Sequence, residues 1–226
     1  MTDQVNPSES VENFIKAVYS LQQQEERVST NTLSDALNIS APSVTDMAQR
    51  LVTAGLVDYQ RYKGVVLTAS GREMALRVLR RHRLIELYLV RELGYALREV
   101  HEEAEKLEHA VSERFIEAIA YKLGDPNFDP HGDPIPAADG TLTQRQLMPL
   151  TELPEHVKAS VSQLKSSSPE MLQHILDRGF TLDSEVEVLA RDPFDGPISA
   201  RVDGRERIVG FNVAECILVD TGGEAK

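Results

Sequence analysis

The chain has 226 residues, of which 41% are hydrophobic and 27% charged, an ordinary composition for a soluble globular protein with room for two or three small domains. It has no long apolar run and no signal-peptide pattern, so we expect a cytoplasmic protein without a membrane segment. A formal net charge of −12 argues against a protein that binds nucleic acid over its whole surface. The single cysteine, Cys216, excludes an internal disulfide and a thiolate-rich zinc site.

The first 55 residues carry three helical patterns. Residues 11–21 place apolar side chains on one helical face, and a second, short helix is expected over 30–37. Ser40 is a favourable N-cap for a third helix, because Pro42 then falls in the first turn, where its missing N–H costs nothing. Gly55 ends that helix.

Two short β-branched and aromatic runs follow, over 56–60 and 65–68. They are joined by Arg61-Tyr62-Lys63-Gly64, a glycine-containing hairpin connection. Three helices followed by a two-stranded wing make a winged helix-turn-helix, so we expect residues 1–72 to form a DNA-binding domain.

The third helix and the wing supply candidate DNA contacts. Hydroxyl groups and a proline near the start of the helix suit phosphate anchoring and contacts with methyl groups more than bidentate base reading. Cationic residues at a wing tip are natural phosphate partners, although lysine and arginine are also common at hairpin tips. The candidates are Ser40, Pro42, Ser43, Thr45, Asp46, Gln49 and Arg50 on the helix, with Arg61 and Lys63 on the wing.

Helical patterns return over 69–93 and again over 97–123, with Gly94 between them. Residues 125–140 (DPNFDPHGDPIPAADG) are rich in proline, aspartate and glycine, so we expect a loop there. From Glu152 onward, alternating runs such as EVEVLA, ISARV, ERIVGF and CILVD lie between Gly/Pro/Asp turns. This pattern favours a small antiparallel barrel, interrupted by one short helix in PEMLQHILDRG.

The segment VHEEAEKLEHAVSE contains two imidazoles and two carboxylates at helical spacing, namely His101, Glu105, Glu108 and His109. On a single helix they would fall within roughly a 100° arc, a mixed nitrogen and oxygen set suited to a borderline or hard divalent cation. On the preceding helix, His82 and Glu86 stand at positions i and i+4. Antiparallel packing of the two helices across Gly94 would bring the two faces together.

Other interpretations of these residues stay open. Charged helix faces with i,i+4 pairs are commonly solvated surfaces, and His131 beside Asp129 in DPHGD is either a pair of ligands or an ordinary loop. A metallohydrolase would use such a site to activate water, but the sequence has no HExxH, nucleophile elbow or P-loop. A winged-helix sensor of an organic ligand would leave the His/Glu faces unexplained.

Taken together, the runs ISAPSVTDMAQRLVTAGLV, RRHRLIELYLV, VHEEAEKLEH and HGDPIP resemble the diphtheria toxin repressor family, and more narrowly its manganese-responsive branch. The resemblance covers nearly the whole chain. It implies a mainly α-helical fold with three domains: a winged helix-turn-helix domain over 1–72, a helical dimerisation and metal-binding domain over 73–147, and a small SH3-like (FeoA-like) β-barrel over 148–226.

The resemblance also implies two metal sites per subunit, whose ligands the branches of the family divide differently. The residues that match ligand positions of the family are His82, Glu86, His101, Glu105, Glu108, His109, Asp129 and His131. Of these, Glu105, Glu108 and His109 would form the core of one site. A carboxylate at Glu105, where iron-responsive relatives have a cysteine or its equivalent, resembles the manganese regulators and suits a harder cation.

Two positions of the first helix depart from the pattern of the family. Asn13 stands where relatives have Met or Asp, and its amide oxygen is a weaker, neutral ligand, for which Glu12 or Glu9 could substitute. Lys16 stands one turn later, where some relatives have a second acidic ligand.

We therefore expect a non-enzymatic homodimer that binds palindromic double-stranded operator DNA and represses genes of metal-ion uptake and homeostasis. Mn(II) is the expected activating ion, with Fe(II) next, and an iron- or zinc-responsive regulator of the same fold is the alternative. The net negative charge counts against DNA binding. However, operator recognition needs only a local basic surface, and bound divalent cations would offset part of the acidic charge.

Overall fold

The computed structural model describes residues 8–165 and 168–222, and the chain divides into two compact units. Unit 1 comprises the described residues up to His82, together with Leu107–Val111 and Pro136–Thr141. Unit 2 comprises Arg83–Lys106, Ser112–Ile135 and the described residues from Leu142 onward. None of the described helices is both long and apolar enough to span a bilayer.

Unit 1 is the predicted winged helix. Its elements are α1 (Glu9–Leu21), α2 (Thr30–Leu37), α3 (Ala41–Thr53), β1 (Val57–Gln60), β2 (Gly64–Leu67) and the first part of α4 (Ala69–Leu93). Helix α1 packs against α2 and β2, α2 packs against α3, and α3 packs against β1. Apolar side chains from each of these elements are fully buried or nearly so, among them Phe14, Leu33, Val44, Val57 and Val65.

Local capping explains where α2 and α3 begin. The Ser29 hydroxyl accepts a hydrogen bond from Thr32 N at 3.0 Å, and the Ser40 hydroxyl accepts one from Ser43 N at 3.3 Å. Each satisfies one of the N–H groups that a helix start leaves without a partner. Asn38, with a φ of 52°, then ends α2 in the left-handed conformation. The predicted start of the third helix at Ser40 is confirmed.

The wing is an antiparallel hairpin whose register runs from Val57 opposite Leu67 to Gln60 opposite Gly64. A third segment joins it at Val28, which exchanges two backbone hydrogen bonds of 2.8 and 2.9 Å with Val65. Gly64 has a φ of +101°, and a Cβ there would lie 2.2 Å from the Val28 carbonyl oxygen. Glycine is therefore required at this position both for its backbone conformation and for this close approach.

The helix predicted over 97–123 is wrong in one respect, because the structure has two helices there. These are α5 (Val100–Leu107) and α6 (Glu113–Lys122). The Leu107 carbonyl accepts from Ala110 N at 2.9 Å and from Val111 N at 3.2 Å, which closes a turn. Ser112 then caps α6 through Phe115 N. Glu108 and His109 consequently lie in a turn after α5, and not on the helix face that carries His101.

Unit 2 also contains a six-stranded antiparallel sheet in the order β3-β8-β4-β5-β6-β7. Its strands are β3 (Met148–Pro149), β4 (Lys158–Leu164), β5 (Glu185–Arg191), β6 (Ile198–Val202), β7 (Arg205–Val209) and β8 (Ile217–Asp220), with helices α7 (Pro169–Asp177) and α8 (Phe211–Ala214). The sheet encloses an apolar core that includes Phe180, Ile175 and Leu150. Strands β3 and β7 form its two edges, so hydrogen bonding among the described residues does not close the predicted barrel.

Most C-terminal elements lie where the alternation of apolar and polar residues predicts them, and three further elements were not predicted. Strands β5, β6, β7 and β8 and helix α7 lie in the segments that the sequence predicts. Strands β3 and β4 and the four-residue helix α8 are additional. The boundaries at 72/73 and 147/148 stay a prediction, since the two compact units exchange short segments of chain.

Gly71 offers a direct test of packing in unit 1. It lies in α4, and a Cβ there would lie 1.9 Å from the Leu56 carbonyl oxygen. We expect Gly71→Ala to lower the free energy of unfolding by about 1–3 kcal/mol, because backbone must move to admit the methyl group. Urea unfolding followed by circular dichroism measures this.

Gly210→Ala is the matched control, since a Cβ there would meet nothing within 4 Å and its φ is −65°. It should cost less than about 1 kcal/mol, the usual scale for a change at a helix N-cap. Equal losses from the two variants would contradict the predicted clash.

Candidate metal centre and DNA-binding surface

Seven polar side chains of unit 1 form a group that we call the Glu108 cluster. Helix α1 contributes three, α4 two, and the turn after α5 two: Glu12, Asn13, Lys16, Arg81, His82, Glu108 and His109. Glu108 has no exposed surface, and Glu12 and His82 are each 5% exposed. Buried charges of this kind require compensation, and each has it here.

Glu108 is held at both carboxylate oxygens. Its Oε2 lies 2.6 Å from His82 Nδ1, and its Oε1 lies 2.6 Å from Lys16 Nζ. Burial alone would raise the pKa of Glu108, but the hydrogen bond and charge of His82 and the ammonium of Lys16 outweigh burial and lower it. Glu108 is therefore an ionised, fixed carboxylate, which is what a metal ligand must be.

His109 is oriented by Glu12. Its Nδ1 lies 2.6 Å from Glu12 Oε2, and Arg81 pairs with the other oxygen of Glu12. When Nδ1 donates this bond and a metal ion replaces any proton on Nε2, the Nε2 lone pair is available to the ion, the usual arrangement of a metal-binding imidazole with a carboxylate behind it. Glu12, which the sequence offers only as a substitute for Asn13, instead contacts the far side of the imidazole ring.

His109 Nε2 faces two oxygen atoms. Asn13 Oδ1 lies 2.9 Å from His109 Nε2, and Glu108 Oε1 lies 3.2 Å from it. Adjacent ligands of an octahedral ion with bonds of about 2.1 Å are about 3 Å apart, so these spacings fit such an ion. The donors are imidazole, carboxylate and amide oxygen, a set that suits Mn(II) and Fe(II) and contains no thiolate.

In unit 2 a second group, which we call the Glu86 cluster, surrounds the buried Glu86 carboxylate. Glu86 Oε1 lies 3.2 Å from His101 Nδ1 and 3.9 Å from His131 Nε2. His101 Nε2 is in turn 3.8 Å from Glu105 Oε1. The structure thus brings together four of the predicted ligands within unit 2. Two imidazoles that meet at one buried carboxylate also fit a divalent cation.

The loop that carries His131 is organised by Asp129. One carboxylate oxygen of Asp129 accepts from His131 N at 2.8 Å and from Asp133 N at 2.9 Å. The other oxygen lies 3.6 Å from Arg83 Nε. Burial, together with the charges of Asp133 and Glu86, raises the pKa of Asp129 to about 8 against the opposing charge of Arg83. This part of unit 2 therefore has more carboxylates than Arg83 alone can neutralise.

Strand β4 fixes the other side of the same loop. The Leu164 N–H donates to the His131 carbonyl at 2.9 Å, and Gln163 donates to Asp133 at 2.8 Å. Arg145 donates to the Gly132 carbonyl and stacks 3.7 Å from the centre of the Phe128 ring. The proline-rich segment is thus a docked, hydrogen-bonded loop that holds His131 in place.

The predicted DNA-contact residues lie on the outer surface of unit 1. All are exposed except Thr45, which is half-buried and donates to the Ala41 carbonyl at 3.1 Å. At the wing tip, the Arg61 guanidinium lies 4.9 Å from the centre of the Tyr62 ring. Tyr62 is 91% exposed, has a φ of 67° and is absent from the predicted contacts.

The role of Asp129 can be tested by comparing Asp129→Ala with Asp129→Asn in the metal-free protein. The alanine variant should lose about 2–4 kcal/mol of unfolding free energy, since each buried N–H without a partner costs about 1–3 kcal/mol. The asparagine variant should lose less than half as much, because its Oδ1 still accepts both bonds. Urea unfolding measures both, and equal losses would show that the carboxylate does not organise the loop.

Comparison with known proteins accounts for nearly the whole chain. A model of the N-terminal DNA-binding domain of iron-dependent repressors matches residues 7–65, one of their metal-binding and dimerisation domain matches 68–137, and a FeoA domain model matches 148–221. The chain is 37% identical over 113 residues to an uncharacterised HTH-type transcriptional regulator of Methanocaldococcus jannaschii, covering 50% of this chain and 90% of the relative.

Two full-length relatives give the same result. The diphtheria toxin repressor of Corynebacterium diphtheriae is 26% identical over 222 residues, which cover 94% of this chain and 97% of that protein. A solved manganese-dependent transcriptional repressor in complex with manganese is 40% identical, with a TM-score of 0.84 and coverage of 92% of this chain and 98% of that one. The chain therefore belongs to the diphtheria toxin repressor family of metal-dependent transcriptional repressors.

Proposed function

We propose that this protein is a Mn(II)-dependent repressor of genes for metal-ion uptake and homeostasis. It acts in the cytoplasm as a homodimer on palindromic operator DNA, with Fe(II) as the alternative activating ion. The observation that carries this proposal is the convergence of Asn13 Oδ1, His109 Nε2 and Glu108 Oε1 at 2.9 and 3.2 Å in the Glu108 cluster. Oxygen and imidazole donors without thiolate favour Mn(II) over softer ions by ligand type.

The proposed ligands fall into two sets. In unit 1, Asn13, Glu108 and His109 hold one ion, and His82 supports Glu108. In unit 2, Glu86, His101 and His131 hold a second ion, with Glu105 as a further carboxylate and Asp129 shaping the loop. A bound cation supplies positive charge that neutralises the converging acceptors and links the elements that carry them.

Helix α1 connects the Glu108 cluster to the DNA-reading surface. Asn13 anchors α1 to the turn after α5 through His109, and α1 packs against α2, which packs against α3. Fixing α1 therefore restricts the position of α3 within unit 1. The difference in metal affinity between the DNA-competent conformation and the alternatives sets how far the population shifts.

The DNA surface then needs only local contacts. Hydroxyls at the start of α3, including Ser40 and Ser43, are exposed for phosphate contacts, and Arg61 and Lys63 extend from the wing tip. These cations act locally against an overall charge of −12. Phosphate contacts of this kind position a winged helix in the groove without reading sequence.

The first functional prediction is that operator binding depends on the metal. Operator affinity should rise at least about tenfold when MnCl2 is added to chelator-treated protein, equivalent to about 1.4 kcal/mol of coupling. Mobility shifts with promoter DNA of metal-uptake genes from the same genome measure it, with an unrelated duplex as control and Fe(II) and Zn(II) as the comparison series. Equal operator affinity in chelator and in MnCl2 would reject the proposed function.

The second functional prediction separates the two clusters. Glu108→Gln keeps the shape of the side chain but removes the charge of a ligand, so it should abolish metal-dependent operator binding. His131→Ala should lower the bound metal from about two ions to about one per subunit and leave the Glu108 cluster able to bind its ion. Elemental analysis alongside mobility shifts measures both effects.

His156→Ala is the matched control for the histidine variant. His156 is 70% exposed, lies 3.6 Å from Glu187 and is not a member of either cluster, so its removal should leave the metal count unchanged. If His131→Ala still binds as much metal as the His156→Ala control, the loop histidine is not a ligand.

A further inference from the structure

Helix α1 places a cation inside the Glu108 cluster. Lys16 Nζ lies 2.6 Å from Glu108 Oε1, and the two side chains are 15% and 0% exposed. The same Oε1 atom lies 3.2 Å from His109 Nε2, at the point where the candidate ligands converge. The Lys16 ammonium and a metal ion bound at that point would therefore contact the same oxygen atom of Glu108.

Arg81, the guanidinium of the cluster, is placed differently. Arg81 pairs with Glu12, and Glu12 contacts His109 at Nδ1. Its charge thus acts at the ring nitrogen that does not face Asn13 and Glu108. Arg81 supports the orientation of a ligand, whereas Lys16 contacts a ligand atom itself.

We infer that Lys16 is an internal counter-ion that competes with the metal for Glu108 and so sets the metal concentration at which the site fills. The inference rests on the proposed metal site. Without metal, the ammonium compensates a carboxylate that has no contact with solvent, where an unpaired charge would be strongly destabilising. Lysine suits this role because its compact charge lies at the end of a flexible four-carbon chain that can withdraw.

The geometry implies that Lys16 competes with the metal ion for Glu108 and does not assist metal binding. When a divalent ion binds Glu108, two cations share one buried carboxylate, and like charges repel more strongly there than in water. Removing Lys16 eliminates that repulsion. It leaves His82 bonded to Glu108 Oε2 at 2.6 Å, so the carboxylate keeps an anchor. A variant without Lys16 should therefore bind the metal more tightly than the wild type. In its metal-free form, it should be less stable than the wild type.

Lys16→Met is the direct test, because methionine fills similar space without charge. Chelator-treated full-length protein is titrated with MnCl2, and free Mn(II) is followed by electron paramagnetic resonance. Mn(II) affinity should rise at least about tenfold, with no increase in the number of ions bound per subunit. In thermal melts, the metal-free variant should unfold at a lower temperature than the wild type and gain more from added MnCl2.

Lys158→Met is the matched control. It removes one lysine charge from an exposed ion pair with Glu185 at 2.8 Å, so it should change Mn(II) affinity by less than about twofold. Lys16→Gln is the second neutral variant. It can still donate a hydrogen bond to Glu108, which keeps the test available if Lys16→Met does not fold without metal.

Mn(II) affinity that is unchanged or weaker in both Lys16 variants, relative to the control, overturns the inference. The wild-type titration separates this result from failure of the proposed function. A wild-type protein that binds no Mn(II) rejects the metal site as a whole. A wild-type protein that binds Mn(II), with variants that bind it no more tightly, rejects only the counter-ion.

Discussion

The charge of Glu108, buried without any exposed surface, is the constraint on which the organisation of the candidate centre depends. A carboxylate in that position either is stabilised as an anion by charged or hydrogen-bonding partners or becomes protonated. Here His82 and Lys16 each contact it at 2.6 Å. These partners come from α4 and α1, so compensating one charge also joins two helices of the winged-helix unit. The contacts that compensate the charge of Glu108 are therefore also the contacts that would hold it in place as the proposed metal ligand.

The Glu86 cluster also contains a buried carboxylate, but its partners are held in place differently. Its carboxylate meets imidazoles from α5 and from the Pro/Asp/Gly-rich loop, and the loop has no regular secondary structure to hold it. Asp129 and Arg145 replace that structure with hydrogen bonds to loop backbone, and β4 adds one from Leu164. The first cluster is thus built on helices α1 and α4 and the turn after α5, whereas the second requires the sheet of unit 2 for its support.

Sequence predicts the parts of this fold that local chemistry determines. Caps such as Ser40 and turn residues such as Gly64 act within a few residues, so the winged helix follows from them. The break after Leu107 was missed because helical spacing from His101 to His109 continues through it, although Ser112 was an available capping signal. Partners in the Glu108 cluster, such as Lys16 and Glu108, are 92 residues apart, and no local pattern links them.

The open sheet of unit 2 has a consequence for solubility. An edge strand presents unpaired backbone groups that can recruit a strand from another molecule, and charged side chains on the edge oppose this. Strand β7 (RERIV) carries two arginines and a glutamate, and Arg178 from the end of α7 donates to its Ile208 carbonyl. Because the same edge exposes 60% of Ile208, neutralising these charges would favour β-pairing between molecules.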